Sequence, residues 1–306
     1  MSLPDRTQRQ TPNPASILSD FETTCRAAGV EPFLDEKSMD ENIIACTWSN
    51  FRRPRLGRFK RLEDVDFIEL LSHGQDGIAW KVGIDGYTYA LKVFWDNHPP
   101  QGAQHWAMQR ECQTASLLEK MRFVIERASD PVWLNPEPRT FCDAALNLHA
   151  FSDEGRSRQL FRETPGAVRC STAPHLRRCY GWTPICGGEL CALPSTLSPP
   201  GATSGGHVRE LSPSEQYHAI VYQYVPSSDV SPDIDAVQAQ LDFLWRGGWC
   251  VPSLWPENLG STADLLDMGD AICPWHAAWD SRRYKRRDAR EMVVPRREAP
   301  HSYLMS

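Results

Sequence analysis

Apolar and polar positions alternate through Ala219-Ile220-Val221-Tyr222-Gln223-Tyr224-Val225, a run rich in β-branched and aromatic residues that predicts a strand. Ile234, Val237, Leu241 and Leu244 recur at three- and four-residue steps ahead of Gly247-Gly248, so a helix is expected from Ile234 to Trp245. Helical spacing also places Leu117 and Leu118 behind Glu111 in the stretch from Arg110 to Leu118. Between Ser72 and Val82 the pattern reads as a hairpin turned by Gly74 and Gly77, and the strand Tyr89-Ala90-Leu91-Lys92-Val93-Phe94 follows. One lysine is thereby embedded in an otherwise apolar strand.

The intervening segments are of a different kind. Residues 1–16, with Pro4, Pro12 and Pro14 among polar neighbours, are expected to be disordered. From Asp20 to Glu41 there are seven acidic residues against two basic ones, and Ile17-Leu18 with Phe21 suits a short helix. Arg52, Arg53, Arg55, Arg58, Lys60 and Arg61 follow with no acid among them. These blocks can pair with each other or serve a partner. Pro131, Pro136, Pro138 and Pro165 mark an insertion near 127–165, and a Pro/Gly/Ser-rich run from Pro194 to Pro213 is expected to be a flexible surface loop. Arg282 to Arg297 holds eight basic residues and two acidic ones in a chain of net charge −6. That reversal suits a solvated tail, an import receptor or phosphates of nucleic acid. Only Tyr284 interleaves with the charges, which argues against a stacking platform for single strands.

Composition narrows the class. A hydrophobic share of 41% and a mean hydropathy of −0.47 fit a soluble globular protein, and no apolar run approaches the length of a membrane span. The first residues lack the apolar core of a secretion signal, so an intracellular location is expected. Ten cysteines without a Cys-x-x-Cys pair fit reduced thiols. The densest group, Cys170, His175, Cys179, Cys186 and Cys191, matches no common zinc spacing.

The glycine turn and the strand lysine together carry chemistry. Glycines let a backbone approach phosphate oxygens, and a strand lysine is aimed into the cleft beside them, as in a protein kinase. Glu111 lies where a helix glutamate would pair with Lys92. Val251-Pro252-Ser253-Leu254-Trp255-Pro256-Glu257-Asn258 lies over the kinase catalytic-loop pattern and matches it at four of eight positions, and Leu265-Leu266-Asp267-Met268-Gly269 follows where an Asp-Phe-Gly motif is expected. Ser253 occupies the place of the catalytic aspartate, and a neutral hydroxyl is no base at neutral pH. Asn258 and Asp267 are an oxygen pair suited to Mg²⁺ bridging nucleotide phosphates. Their plainer reading is a turn residue and a cap.

With Arg178-Cys179-Tyr180-Gly181-Trp182 ahead of the Tyr222 strand, the chain resembles a fungal family of degenerate kinase-like proteins. That family is named after the second Fta subunit of the fission-yeast Sim-four complex of the inner kinetochore, a CENP-P-like component. The resemblance covers roughly residues 65–126 and 165–276. It implies an α+β, protein-kinase-like two-lobed fold: a small antiparallel sheet with one helix, then a mostly helical, truncated C-terminal lobe. The organisation expected is a charged N-terminal segment over 1–64, a kinase-like domain over 65–276 and a basic tail over 277–306. In such a cleft Ser72, Gly74, Gly77, Ala90, Lys92, Glu111 and Tyr224 would hold ATP, with Asn258 and Asp267 on Mg²⁺. The chain ends 39 residues past Asp267, too few for the helices that bind a peptide substrate. Three readings follow: a pseudokinase-like scaffold that binds ATP without efficient transfer, a kinetochore or centromere interaction module with an empty cleft, and a weak atypical phosphotransferase. A protein partner covering the shortened lobe, an import receptor on the basic tail, a nuclear address and no membrane complete the expectations.

Overall fold

The computed structural model describes residues 32–59, 65–99, 106–127, 129–199, 201–204, 207–226, 232–251, 259–260, 265–266, 269 and 271–292. The protein is α+β. Eleven strands are described: β1 (Leu34–Ser38), β2 (Leu56–Arg58), β3 (Asp66–His73), β4 (Gly77–Ile84), β5 (Tyr87–Phe94), β6 (Val132–Leu134), β7 (Val168–Cys170), β8 (Cys179–Cys186), β9 (Ala202–Ser204), β10 (His207–Arg209) and β11 (Gln216–Gln223). The helices are α1 (Met39–Ile43), α2 (Trp48–Arg52), α3 (Ala107–Arg127), α4 (Phe141–Ala150), α5 (Asp153–Arg158), α6 (Gly187–Cys191), α7 (Ile234–Gly247) and α8 (Ala289–Met292).

Seven strands form one sheet in the order β1-β2-β8-β11-β5-β4-β3. It is antiparallel from β8 through β3, whereas β1, β2 and β8 are joined by parallel pairings. β2 crosses β8 closely at Gly181, where φ is +120° and a Cβ would stand 2.6 Å from the Gly57 carbonyl oxygen. No other residue meets both demands, which accounts for the glycine inside the Arg178–Trp182 stretch.

Strand alternation sorts the sheet into two apolar faces. Ile78, Trp80, Val82, Leu91, Val93, Ala219 and Val221 pack on one, together with Tyr217. Ala90, Phe94, Ile220, Tyr222 and Trp182 face the other. α3 joins this second face to the remaining helices. Its first half gives Met108, Cys112 and Ala115 to the sheet, and its second half gives Leu117, Met121, Val124 and Ile125 to the helical core.

The segment near 127–165 contributes to the helical core. Val132, Leu134, Phe141, Ala144, Leu148 and Phe151 are all buried there, against Leu241, Leu244 and Trp249. The prolines that suggested an insertion flank β6, α4 and β7 rather than interrupt them. The start of α4 carries a capping box: Thr140 Oγ1 accepts from Asp143 N at 3.1 Å, and Asp143 Oδ2 accepts from Thr140 N at 2.9 Å. α7 runs over the expected residues and closes at Gly248, with Asp233 capping its start.

Two further expectations change. The Pro194–Pro213 run includes the antiparallel pair β9–β10, and its described ends are tied to the sheet: Trp80 Nε1 donates to Leu197 O at 2.8 Å, and Arg209 Nη1 donates to Gln75 O at 2.6 Å. The basic segment is not a free tail as far as Met292. Tyr284 is buried with its hydroxyl donating to Trp245 O at 2.8 Å, and Ala289 is fully buried against α7. Charge count hid these two apolar anchors. Residues 1–31, 60–64 and 293–306 lie outside the described residues, as do the expectations placed on them.

Candidate functional site: a buried Lys92–Glu111–Tyr222 network

Lys92 sits on β5 among Ala90, Leu91, Val93 and Phe94, and strand alternation turns it toward α3 with Ala90 and Phe94. On α3, Met108, Glu111, Cys112 and Ala115 form one buried stripe at helical spacing. Glu111 therefore enters an apolar layer, where a carboxylate must find partners. Lys92 Nζ donates to Glu111 Oε2 at 2.6 Å, with side-chain exposures of 16% and 1%. Tyr222, paired across β11–β5 with Ala90, donates its hydroxyl to Glu111 Oε1 at 2.8 Å. Both oxygens of the carboxylate are thus engaged.

Burial and then the Glu111 charge hold the Tyr222 hydroxyl well above its ordinary pKa, so it remains a donor. Burial also raises the Cys112 and Cys179 thiols, keeping them protonated and unreactive. Two turns further along α3, Glu119 is buried with Arg122 at 2.6 Å and accepts from Cys179 N at 2.8 Å. Burial outweighs these partners and raises the Glu119 pKa. Lys120 is buried as well, its ammonium held by the Asn42 carbonyl and side-chain oxygen, and desolvation brings its pKa down to about 8. This contact clasps α1 onto α3.

The glycine turn lies between β3 and β4, with Ser72 near the end of β3 and Gly77 at the start of β4. Gly74 N donates to Gly77 O at 2.9 Å. A Cβ on Gly77 would stand 2.2 Å from the Val93 carbonyl oxygen, so the turn is pressed onto β5 one residue from Lys92. Its carbonyls are held from outside: Trp95 Nε1 donates to Gly74 O at 2.9 Å, Trp95 N to Asp76 O at 3.2 Å and Arg209 to Gln75 O. The Asp76 carboxylate faces Arg110 at 3.8 Å. The turn is a fastened element.

At the other end of the face, Lys81 Nζ lies over the Tyr224 ring at 4.7 Å. The register Lys81↔Ala90 and Ala79↔Lys92 puts both lysines on one side of the sheet with Ala90. Arg177 donates to Gln223 O at 2.9 Å and to Leu266 O at 2.7 Å, with its guanidinium over the Tyr222 ring at 4.7 Å. The segment leading to Asp267 is thereby tied to the end of β11. Ser253, Asn258 and Asp267 themselves lie outside the described residues, although their flanks bridge as Cys250↔Ile272 and Leu259↔Leu265.

Sequence reasoning brought Lys92 and Glu111 together and missed Tyr222 and Arg177. Tyr222 was visible only as a strand residue, since its partner depends on register. Arg177 carries no local signal. Among the described residues no group of three or more His, Cys, Asp or Glu is placed to hold a metal ion, and the cysteines of the 170–191 group are divided between buried Cys170 and Cys179 and exposed Cys186 and Cys191. Nor is any described helix long and apolar enough to cross a membrane.

No curated protein matches the chain. Residues 42–128 match the family described as kinetochore Sim4 complex subunit FTA2, and over that stretch, which carries Asn42, Lys92, Glu111 and Lys120, the resemblance to the Fta2 family holds.

Proposed function

We propose that this chain is a kinetochore-associated subunit of the nucleus, acting as a protein-binding scaffold rather than as an enzyme. The observation that carries the reading is the Fta2-family match over residues 42–128. The polar groups inside that segment support it. Glu111 commits both oxygens to Lys92 and Tyr222, Lys120 is spent on Asn42, and the carbonyls of the glycine turn are engaged by Trp95 and Arg209. Such a pattern fastens a fold together. Affinity purification of a tagged chain should recover Sim4-complex subunits, and recovery of none of them would remove the reading.

A second reading is favoured by the Lys92–Glu111 pair at 2.6 Å. Here the cleft binds Mg-ATP for structural reasons, with Ser72, Gly74, Gly77, Ala90, Lys92 and Tyr224 around the nucleotide and Asn258 and Asp267 on the metal. With Ser253 in place of a base, phosphotransfer would be about 10²–10⁴-fold weaker than in a working kinase. A ligand that binds only the folded chain raises its melting temperature. A Mg-ATP shift that disappears in Lys92→Ala and Asp267→Ala favours this reading, and its absence in the wild type leaves the empty-cleft scaffold.

A further inference from the structure

The chain from Asp280 to Met292 is basic and firmly anchored. Arg283 N and Tyr284 N donate to Asp280 O, the Tyr284 hydroxyl reaches Trp245 O, and Ala289 N donates to Gln238 Oε1 at 2.8 Å. Arg286 grips Asp242 through two bonds of 2.7 and 2.8 Å, Arg287 Nε donates to Val251 O at 2.9 Å, and Arg282 is occupied by Asp280. What remains is a fixed set of cations. Arg283, Lys285 and Arg290 are exposed, and their side chains make no ion pair or hydrogen bond among the described residues. Arg290 also lines, with Arg286, Arg287, Asp235 and Asp288, a cavity of about 340 Å³ against the first turns of α7, in which the cations outnumber the carboxylates.

We propose that this surface binds the phosphate backbone of duplex nucleic acid without reading its base sequence. A duplex presents a dense row of negative charge, and cations carried on an anchored backbone meet it at little cost in chain entropy. Base stacking of a single strand needs exposed aromatic rings, and Tyr284, the aromatic residue of this segment, is buried. A receptor for an extended basic peptide would have to strip away the contacts of Tyr284, Arg286, Arg287 and Ala289. The proposal is independent of the kinetochore reading.

The test uses the full chain and a fluorescent 30-base-pair duplex of random sequence, followed by anisotropy between about 50 and 200 mM salt. Three phosphates neutralised give a log–log slope of about −2.7, a loss of about 40-fold across that range. The triple variant Arg283→Ala/Lys285→Ala/Arg290→Ala should weaken binding at least tenfold at low salt and flatten the slope, while Arg162→Ala, at a distant exposed site, should change neither. If the triple variant melts early, Lys285→Glu alone carries the test and should weaken binding several-fold. No salt-dependent binding by the wild type overturns the proposal. So does unchanged binding by a folded charge variant, or capture by an import receptor in a chain that ignores the duplex.

Discussion

Removal of the Glu111 carboxylate is the sharpest test of the buried network. In Glu111→Ala the Lys92 ammonium loses its 2.6 Å partner and the Tyr222 hydroxyl its 2.8 Å acceptor, both beneath α3. Breaking a buried ion pair from one side costs about 3–5 kcal/mol. With its side chain 16% exposed, Lys92 can recover some water, which points to the lower end of that range. An orphaned buried hydroxyl adds about 1–3 kcal/mol. We therefore expect Glu111→Ala to destabilise by about 4 kcal/mol and Tyr222→Phe by about 1.5–3 kcal/mol, because the latter strips one donor from a charged acceptor. Lys92→Met should cost a few kcal/mol alone. The double variant Lys92→Met/Glu111→Ala should cost clearly less than the two singles together, since neither charge is then left unpaired. Urea denaturation with shared m-values measures all four. Additive losses, or a Glu111→Ala cost below about 1 kcal/mol, would refute the claim that the network fastens α3 to the sheet.

Acid should weaken the fold through His149, whose pKa is pushed down to about 4 by burial and then by Arg158. The unfolded chain takes up the proton first, so stability is full above about pH 6.5 and falls as the pH drops toward 4, by about 3 kcal/mol; His149→Gln should flatten that part of a pH–stability curve. Deleting residues 281–306 should lower stability by about 3–5 kcal/mol, chiefly from the buried Tyr284 ring and its hydrogen bond, and a melting temperature unchanged by the deletion would mean that this segment is a free tail after all.

The parts of the fold that were legible from the chain are those with a short-range period. Alternation from Ala219 located β11, and the steps Ile234, Val237, Leu241 and Leu244 located α7 to its glycine cap. Lys92 and Glu111 were legible as a pair because a strand lysine and a helix glutamate in that order form a motif. Tyr222 was not, since its placement opposite Ala90 depends on the β11–β5 register, a long-range property. The short elements of residues 127–165 were not legible, because prolines that start and stop short elements resemble prolines of a loop. In the basic segment, two buried residues among many exposed charges decide the packing, and composition weights them equally with the rest.

Imaging of the fluorescently tagged full chain in cells against a centromere marker is the direct test of association with the kinetochore. We expect foci that coincide with centromeres and persist in Ser253→Ala, since no step of the scaffold role uses that hydroxyl. A diffuse nuclear or cytoplasmic signal, from a chain shown to be folded and expressed, would contradict kinetochore association.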